Sequence, residues 1–411
     1  MCRIRQFKNP CLGQPGRTRP GTGCLDANGV KSRYTIGFQS LINQLAFLSC
    51  TPLLALESIL LYQFKNYRQA RFDFNSRITG ISGQNGIGKT NLLDAIYYLC
   101  FTKSYFTRTD SQNVLNGANG FRIEGQFHLG EEHLRTVCIL RETGKKEFLV
   151  NEQPYDRFSS HIGRFPCVVI APDDVQIITE ASEERRRFLD ALLSQADPVY
   201  LQNLIDYTRL LQQRNSYLRS IDNRQADHRL LDTYDMQLVN AGTQLFDARR
   251  NFLVEFIPMV ITLYNGIAGT EEGLSIAYKS QLLQQDFQSL LQQSREKDIL
   301  LQRTNAGVHR DDLELFLNDQ PFKSMASQGQ RKSLLFALKL AEFEGLRTIK
   351  GFAPLLLLDD VFEKLDEQRM HNLLSRVCID SGAQLFVTDT HPERIRNHLK
   401  SLNVDYGMIS L

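Results

Sequence analysis

The sequence predicts an α/β fold in which a head built on a mixed sheet is interrupted by an inserted helical lobe. Three observations predict it. The glycine-rich turn Gly83-Gln84-Asn85-Gly86-Ile87-Gly88-Lys89-Thr90 lies between a strand pattern and a helix pattern. Far downstream, the apolar run Leu355-Leu356-Leu357-Leu358 ends in Asp359-Asp360, as a buried strand does where it reaches a polar edge. Between the two, residues 186–300 carry helical periodicity instead of strand alternation.

The chain has 411 residues, a formal net charge of +2, 42% hydrophobic residues and 23% charged residues. That composition belongs to a globular protein and excludes collagen-like, wholly disordered and disulfide-scaffold chains. It gives no support to a globally basic, histone-like binder, so any nucleic-acid contact has to come from a local patch. No uncharged apolar run reaches the roughly 18 residues of a membrane-spanning helix. The stretch Leu45 to Leu56 is broken by Ser49, Thr51 and Pro52 and starts too far from Met1 to read as an export signal. The eight cysteines are scattered, without a CxxC pair or a metal-like spacing to histidine, and read as reduced thiols of a cytoplasmic protein.

Residues 1–54 read as a disordered extension, because Gly13-Gln14-Pro15-Gly16-Arg17-Thr18-Arg19-Pro20-Gly21 has turn formers and no apolar period. The functional alternative for this basic stretch is an arm on DNA. Order is expected from about Ala55, and residues 55–185 form the first part of the head. Ser58 to Arg68 reads as a strand running into a turn, Arg71 to Phe74 alternates, and Arg77 to Ser82 is a further short strand. Alternation in Phe121 to Leu129, Thr136 to Leu140 and Glu147 to Val150 predicts antiparallel strands, and Cys167 to Ala171 a buried one. In the lobe, Tyr200, Leu204, Tyr207 and Leu211 recur at helical spacing. Leu231, Tyr234, Leu238, Ala241, Leu245, Ala248 and Phe252 then form a helix-contact seam that Pro258 should kink or end. Residues 301–411 complete the head, the return beginning at Leu313 to Leu317.

The glycine-rich turn carries the first chemistry. Glycines let successive backbone N–H groups turn toward phosphate oxygens, and the helix starting near Lys89 points its positive end at the same anion. Lys89 then bridges the outer phosphates and the Thr90 hydroxyl ligates magnesium. At the end of the second strand, Asp359 would hold magnesium and Asp360 would polarise an attacking water. A strand ending in a solvated acidic turn is the plain alternative, and the phosphate loop upstream weighs against it. Ser327-Gln328-Gly329-Gln330-Arg331-Lys332 opens a helix, with Ser327 as an ordinary N-cap in its plain reading.

These three motifs, in this order, resemble those of ABC-type ATPases, whose signature serine, glycine and glutamine face the nucleotide of a second protomer. Glu363-Lys364-Leu365-Asp366 is similar to the segment that crosses that dimer interface. Four stretches narrow the resemblance to the RecF family of bacterial recombination-mediator ATPases: Phe64-Lys65-Asn66-Tyr67-Arg68, Arg185-Arg186-Arg187-Phe188-Leu189-Asp190, Gly307-Val308-His309-Arg310-Asp311-Asp312-Leu313 and Ala326-Ser327-Gln328-Gly329-Gln330. The resemblance runs from about Ala55 to the C-terminus. It implies an ABC-type P-loop ATPase head with a mixed sheet plus an inserted helical lobe. It further implies an ATP-dependent homodimer that binds single-stranded and gapped DNA, works with RecR and RecO to load RecA, and supports the SOS response. Carried over by position, Gly83, Gln84, Asn85, Gly86, Ile87, Gly88, Lys89 and Thr90 bind phosphates, and Thr90 and Asp359 hold Mg2+. Asp360 and Lys89 are catalytic, and Ser327, Gly329 and Gln330 close over the partner's ATP.

Two departures from the wider ABC pattern matter. Asp360 stands where most ABC ATPases have glutamate, one methylene longer, which predicts slow hydrolysis below about 1 s⁻¹; the resemblance implies a weak ATPase that DNA stimulates. The transporter-type switch histidine is absent from the end of the strand Leu385 to Thr388; His391 lies nearby, and Gln176 is the candidate for the usual glutamine loop. Three adjacent arginines on a helix cannot share one face, so at least one of Arg185, Arg186 and Arg187 should pair structurally while one or two contact DNA phosphate. His309-Arg310-Asp311-Asp312 reads equally as a salt-bridged turn and as a nucleotide or partner contact. The alternatives are the nucleotide-binding subunit of a transporter, disfavoured by the helical insertion, and a chromosome-organising protein with long coiled arms, disfavoured by length.

Overall fold

The computed structural model describes residues 53–221, 228–361 and 367–411, all within the unit Thr51–Leu411. The extension expected over residues 1–54 lies outside the described residues except for Leu53 and Leu54, the latter opening the first strand. The first half of the head contains β1 (Leu54–Phe64), β2 (Tyr67–Asp73), β3 (Ile78–Ser82), α1 (Lys89–Phe101), β4 (Phe121–Leu129), β5 (Glu132–Leu140), β6 (Lys146–Val150), β7 (Gln153–Pro154) and β8 (Cys167–Ile170). The lobe adds α2 (Ser182–Ala196), α3 (Pro198–Ser220), α4 (His228–Ala268), β9 (Leu274–Lys279), α5 (Phe287–Leu301), β10 (Asp312–Leu317) and β11 (Gln320–Pro321). The head closes with α6 (Gln328–Lys350), β12 (Leu355–Leu358), α7 (Glu367–Ser375), β13 (Leu385–Asp389), α8 (Pro392–Ser401) and β14 (Gly407–Ser410).

Strands of both directions are present, sorted into separate sheets. One is antiparallel in the order β2-β1-β4-β5-β6-β7. A second is parallel in the order β14-β3-β13-β12-β8. The side-chain patterns account for the difference. Along β4, Phe121, Ile123 and Phe127 point to the core while Arg122, Glu124 and Gln126 alternate outward, which suits a sheet wet on one face. The four leucines of β12 are all buried, because that strand is covered on both faces.

Two cores follow from this layering. Leu355 and Leu357 face α1 and the inner side of the antiparallel sheet, whereas Leu356 and Leu358 face α6 and the lobe. Helix α1 is thus held between two sheets, with every residue from Leu92 to Phe101 buried. That packing over ten residues helps to anchor its N-terminus, which follows the glycine-rich loop.

The lobe departs from expectation in two places. Helix α4 does not end at Pro258 but runs on to Ala268. Pro258 lies on the exposed face, while Phe256, Val260, Leu263 and Tyr264 beside it are buried. Their packing outweighs the roughly 3 kcal/mol that a proline costs inside a helix. Leu313 to Leu317 does not rejoin the head: β10 pairs with β9 and β11 in a separate three-stranded sheet. The strand β9 thus lies within the region read as wholly helical.

A buried polar network fastens the lobe where α2, α4 and β10 meet. The guanidinium of Arg249 on α4 donates to Asp190 of α2 (2.8 Å), to Asp311 (2.8 Å), to the Val308 carbonyl (2.9 Å) and to the Tyr200 hydroxyl (3.0 Å). Tyr278 of β9 donates to the same Asp311 oxygen at 2.6 Å. Burial acts against the charge of Arg249, but Asp190, Tyr200 and Asp311 raise its pKa well above the usual range. Removing one partner from such a network leaves carboxylates buried and unmatched. Arg249→Met is expected to lower stability by about 3–5 kcal/mol, read from the urea midpoint. A loss under about 1 kcal/mol would show that the network is solvated.

Candidate nucleotide-binding site

Strand β3 delivers the chain into residues 83–88, and α1 begins at Lys89. Gly86 and Gly88 adopt φ of 80° and 126°, which a side chain rarely tolerates. At Gly88 an added Cβ would also sit 2.6 Å from Asn66 Nδ2 and 2.8 Å from the Tyr67 hydroxyl. That crowding arises because the β1–β2 turn lies across the loop. Asn66 Nδ2 donates to the Ile87 carbonyl (2.7 Å), the Tyr67 hydroxyl donates to the Gly88 carbonyl (3.0 Å), and Asn91 Nδ2 donates to Asn66 Oδ1 (2.7 Å). Burial raises the Tyr67 pKa above its ordinary value, which keeps the phenol a donor.

Lys65, in the same turn at φ 51°, pairs at 2.5 Å with the buried Asp94 of α1. Asp94 also accepts from Ser104 Oγ (2.6 Å) and the Tyr105 amide (2.8 Å). The stretch Phe64 to Arg68, recognisable in the sequence only by resemblance, therefore braces both the phosphate loop and the first turns of α1.

Lys89 is 5% exposed, and its ammonium donates to the Gly83 and Gln84 carbonyls at 2.8 and 3.1 Å, so it lies along the loop. Thr90 Oγ1 stands 3.0 and 2.9 Å from the two carboxylate oxygens of Asp359, a residue 269 positions away. The parallel sheet makes this meeting possible, because the C-terminal ends of β3, β13 and β12 lie side by side. Thr388, at the end of β13, donates to Asp359 Oδ1 at 2.7 Å and accepts from the Asp360 amide at 3.0 Å. Asp360 adopts φ 47°, a left-handed conformation that aspartate tolerates better than most residues. Burial raises the Asp359 pKa; the Thr388 and Thr90 hydroxyls oppose that rise, the Asp360 charge adds to it, and Lys89 opposes it. A hydroxyl and a buried carboxylate converging beside a phosphate loop are the hard oxygen donors that suit Mg2+. Sequence reading missed Thr388; its only signal is a hydroxyl closing the apolar run Leu385-Phe386-Val387.

Ser327 caps α6 in a reciprocal box: its hydroxyl accepts from the Gln330 amide (3.2 Å), and Gln330 Oε1 accepts from the Ser327 amide (2.9 Å). The serine is exposed, and Gly329 and Gln330 are half-buried. A Cβ on Gly329 would meet nothing nearer than Ser327 Oγ at 3.9 Å, so the chain's own packing does not require glycine there. Further along α6, Lys332, Leu335 and Phe336 line a cavity of about 200 Å³ that reaches Asp359 and the end of β8 at Ile170.

Other expected site residues are placed differently. Arg185 binds Asp312 through Nε (2.7 Å) and Nη2 (3.0 Å), and Arg186 donates to the Asp311 carbonyl at 2.6 Å. Both belong to the lobe junction instead of to a free basic surface. Arg187 is exposed and pairs with Glu183 and Glu184 at 2.5 and 2.7 Å. The turn His309 to Asp312 is structural: the Tyr207 hydroxyl meets His309 Nδ1 at 2.8 Å, and both aspartates are taken up by arginines. Burial lowers the His309 pKa to about 4, so it is neutral at pH 7. His391 is exposed ahead of α8, with its backbone amide held by Asp389 at 2.6 Å, and Gln176 is exposed after β8. Glu363-Lys364-Leu365-Asp366 lies outside the described residues.

Comparison with known proteins places these features in a family context. Residues 55–408 match the family described as RecF/RecN/SMC N terminal domain. The chain is 42% identical over 357 residues to the DNA replication and repair protein RecF of Flavobacterium johnsoniae, covering 87% of this chain and 99% of that one. It is 40% identical to the RecF of Cytophaga hutchinsonii, covering 86% and 94% of the two chains. Among solved structures, it is similar to the recombination mediator protein RecF bound to ATP in the RecFOR pathway, with TM-score 0.76 and 28% identity over 83% of this chain and 93% of that one.

Proposed function

Because the chain belongs to the RecF family of ABC-type ATPases, we propose that it is an ATP-switched DNA repair protein of the RecFOR type, binding ATP between two copies of itself. The observation that carries this is the meeting of Thr90 with both oxygens of Asp359 beside a loop whose Gly88 admits no side chain. The relatives named as DNA replication and repair proteins support the repair assignment, and the similar solved structure with ATP supports the ligand. They weigh against a transporter subunit.

In this reading the amides of Gly83 to Thr90 and the end of α1 hold the phosphates. Lys89 leaves its two carbonyl partners for the outer phosphate oxygens. Thr90 and Asp359 hold Mg2+, which when bound offsets the phosphate charge. Asp360 orients water from a backbone position set by Thr388. Its short side chain makes turnover slow, below about 1 s⁻¹. Ser327, Gly329 and Gln330 face outward to cap the nucleotide of the second copy. That partner-side contact gives ATP a higher affinity for the dimer than for the monomer and so drives association.

Single-stranded and gapped DNA are the substrates this reading assigns, with RecO and RecR as partners in loading RecA, in the cytoplasm and in support of the SOS response. Of the three arginines on α2, Arg187 is the phosphate contact, since its two exposed ion pairs are weak enough to exchange. The test is sedimentation of the whole chain with a non-hydrolysable ATP analogue and Mg2+, followed by binding to gapped and fully duplex DNA at two salt concentrations. A doubling of mass with nucleotide and a preference for gapped DNA are expected. An unchanged mass would falsify the dimer, and equal binding to both DNAs would remove the repair substrate.

A further inference from the structure

The outer face of the antiparallel sheet carries a second cluster with ligand chemistry, remote in sequence from the phosphate loop. The β4–β5 hairpin turns at Gly130, φ 63°, which sets His128 directly opposite His133 with ring centroids 3.8 Å apart. On the neighbouring strand the register slips between Leu56 and Ser58. Leu54 and Leu56 point to the core before the slip, and Ile59 and Leu61 after it, so Glu57 is an extra residue turned to the outer face. Its Oε1 lies 2.6 Å from His128 Nε2. One donor atom from each of Glu57, His128 and His133 lies within 4.8 Å of the other two.

We propose that these three residues form a binding site for a divalent transition metal of the zinc class that staples β1, β4 and β5 together. Two imidazoles and one carboxylate, open to solvent on one side, are the donor set of a three-ligand zinc site with water in the fourth position. Imidazole donors select against Mg2+ and Ca2+, which prefer oxygen. Bonds of about 2.0–2.1 Å place tetrahedral donors about 3.3 Å apart. Rotation of the exposed Glu57 and His133 side chains supplies the remaining contraction. A plain Glu57–His128 ion pair needs one imidazole; it leaves the second, on the same spot, without a role. The next charge along the face, Arg135, is taken by Glu124 at 2.6 Å and so is drawn away from the cluster.

The experiment uses the whole chain stripped with EDTA, titrated calorimetrically with zinc chloride in millimolar Mg2+, which competes with zinc for the oxygen donors Thr90 and Asp359. One zinc per chain is expected, with a raised melting temperature. His133→Ala, an exposed substitution, should weaken binding by more than about tenfold while leaving the zinc-free melting temperature unchanged, and Glu57→Gln should do likewise. Cobalt in place of zinc should give the visible absorption of a four-coordinate ion in the parent and not in His133→Ala. A zinc Kd weaker than about 0.1 mM, or one that survives both substitutions, overturns the site. The outcome is independent of nucleotide binding.

Discussion

Lys89→Met is expected to weaken ATP binding at least about a hundredfold while the chain stays folded. Lys89 is buried, and its ammonium donates to the Gly83 and Gln84 carbonyls of its own loop. Methionine, one heavy atom shorter, offers neither donor nor charge. A charge-assisted hydrogen bond to phosphate contributes about 1.5–3 kcal/mol, and more than one is lost. The two carbonyls also lose their partner, so the melting temperature should fall slightly. Fluorescent-nucleotide titration checks the first effect and calorimetric melting the second. A variant that binds ATP within about threefold of the parent would mean that the loop does not cradle the triphosphate.

Ser327→Arg should do the reverse: each chain keeps its ATP affinity, and nucleotide-driven pairing disappears. The serine is exposed and makes only the cap of α6, so an arginine there costs about 1 kcal/mol of helix capping and disturbs no core. Across a dimer interface its bulk would hold the second copy away from the phosphates. Ser327→Ala separates the two roles. It loses the same cap but adds no bulk, so it should pair more weakly than the parent and far better than the arginine variant. Sedimentation with the non-hydrolysable analogue reads all three. If the arginine variant pairs like the parent, the α6 cap does not lie on the dimer interface.

The local motifs were legible because their physics is local. A phosphate loop needs glycines, a lysine and a hydroxyl within eight consecutive residues, and Gly83 to Thr90 supplies them between a strand and a helix. The four buried leucines of β12 likewise announce a strand covered on both sides. Asn66, Tyr67 and Thr388 were not legible as site residues. Their roles depend on which strand ends the sheet order brings next to the loop, and nothing in the neighbouring sequence records that order. Which of Arg185, Arg186 and Arg187 would pair structurally was not legible for the same reason: Asp311 and Asp312, which take up the first two, lie more than a hundred positions away. Pro258 was read as kinking or ending the helix because propensity is a local preference; buried neighbours on α4 carry the helix through it.

The amino-acid sequence alone thus determined the glycine-rich loop between a strand and a helix, the acidic strand end and the family, since short-range backbone geometry and residue chemistry decide these. The division into an antiparallel and a parallel sheet, the pairing of Thr90 with Asp359, the brace from the β1–β2 turn and the outward-facing Ser327 were decided only by tertiary structure. Each depends on residues far apart in the chain meeting as two cores exclude water, and that burial energy is shared among many residues of both cores.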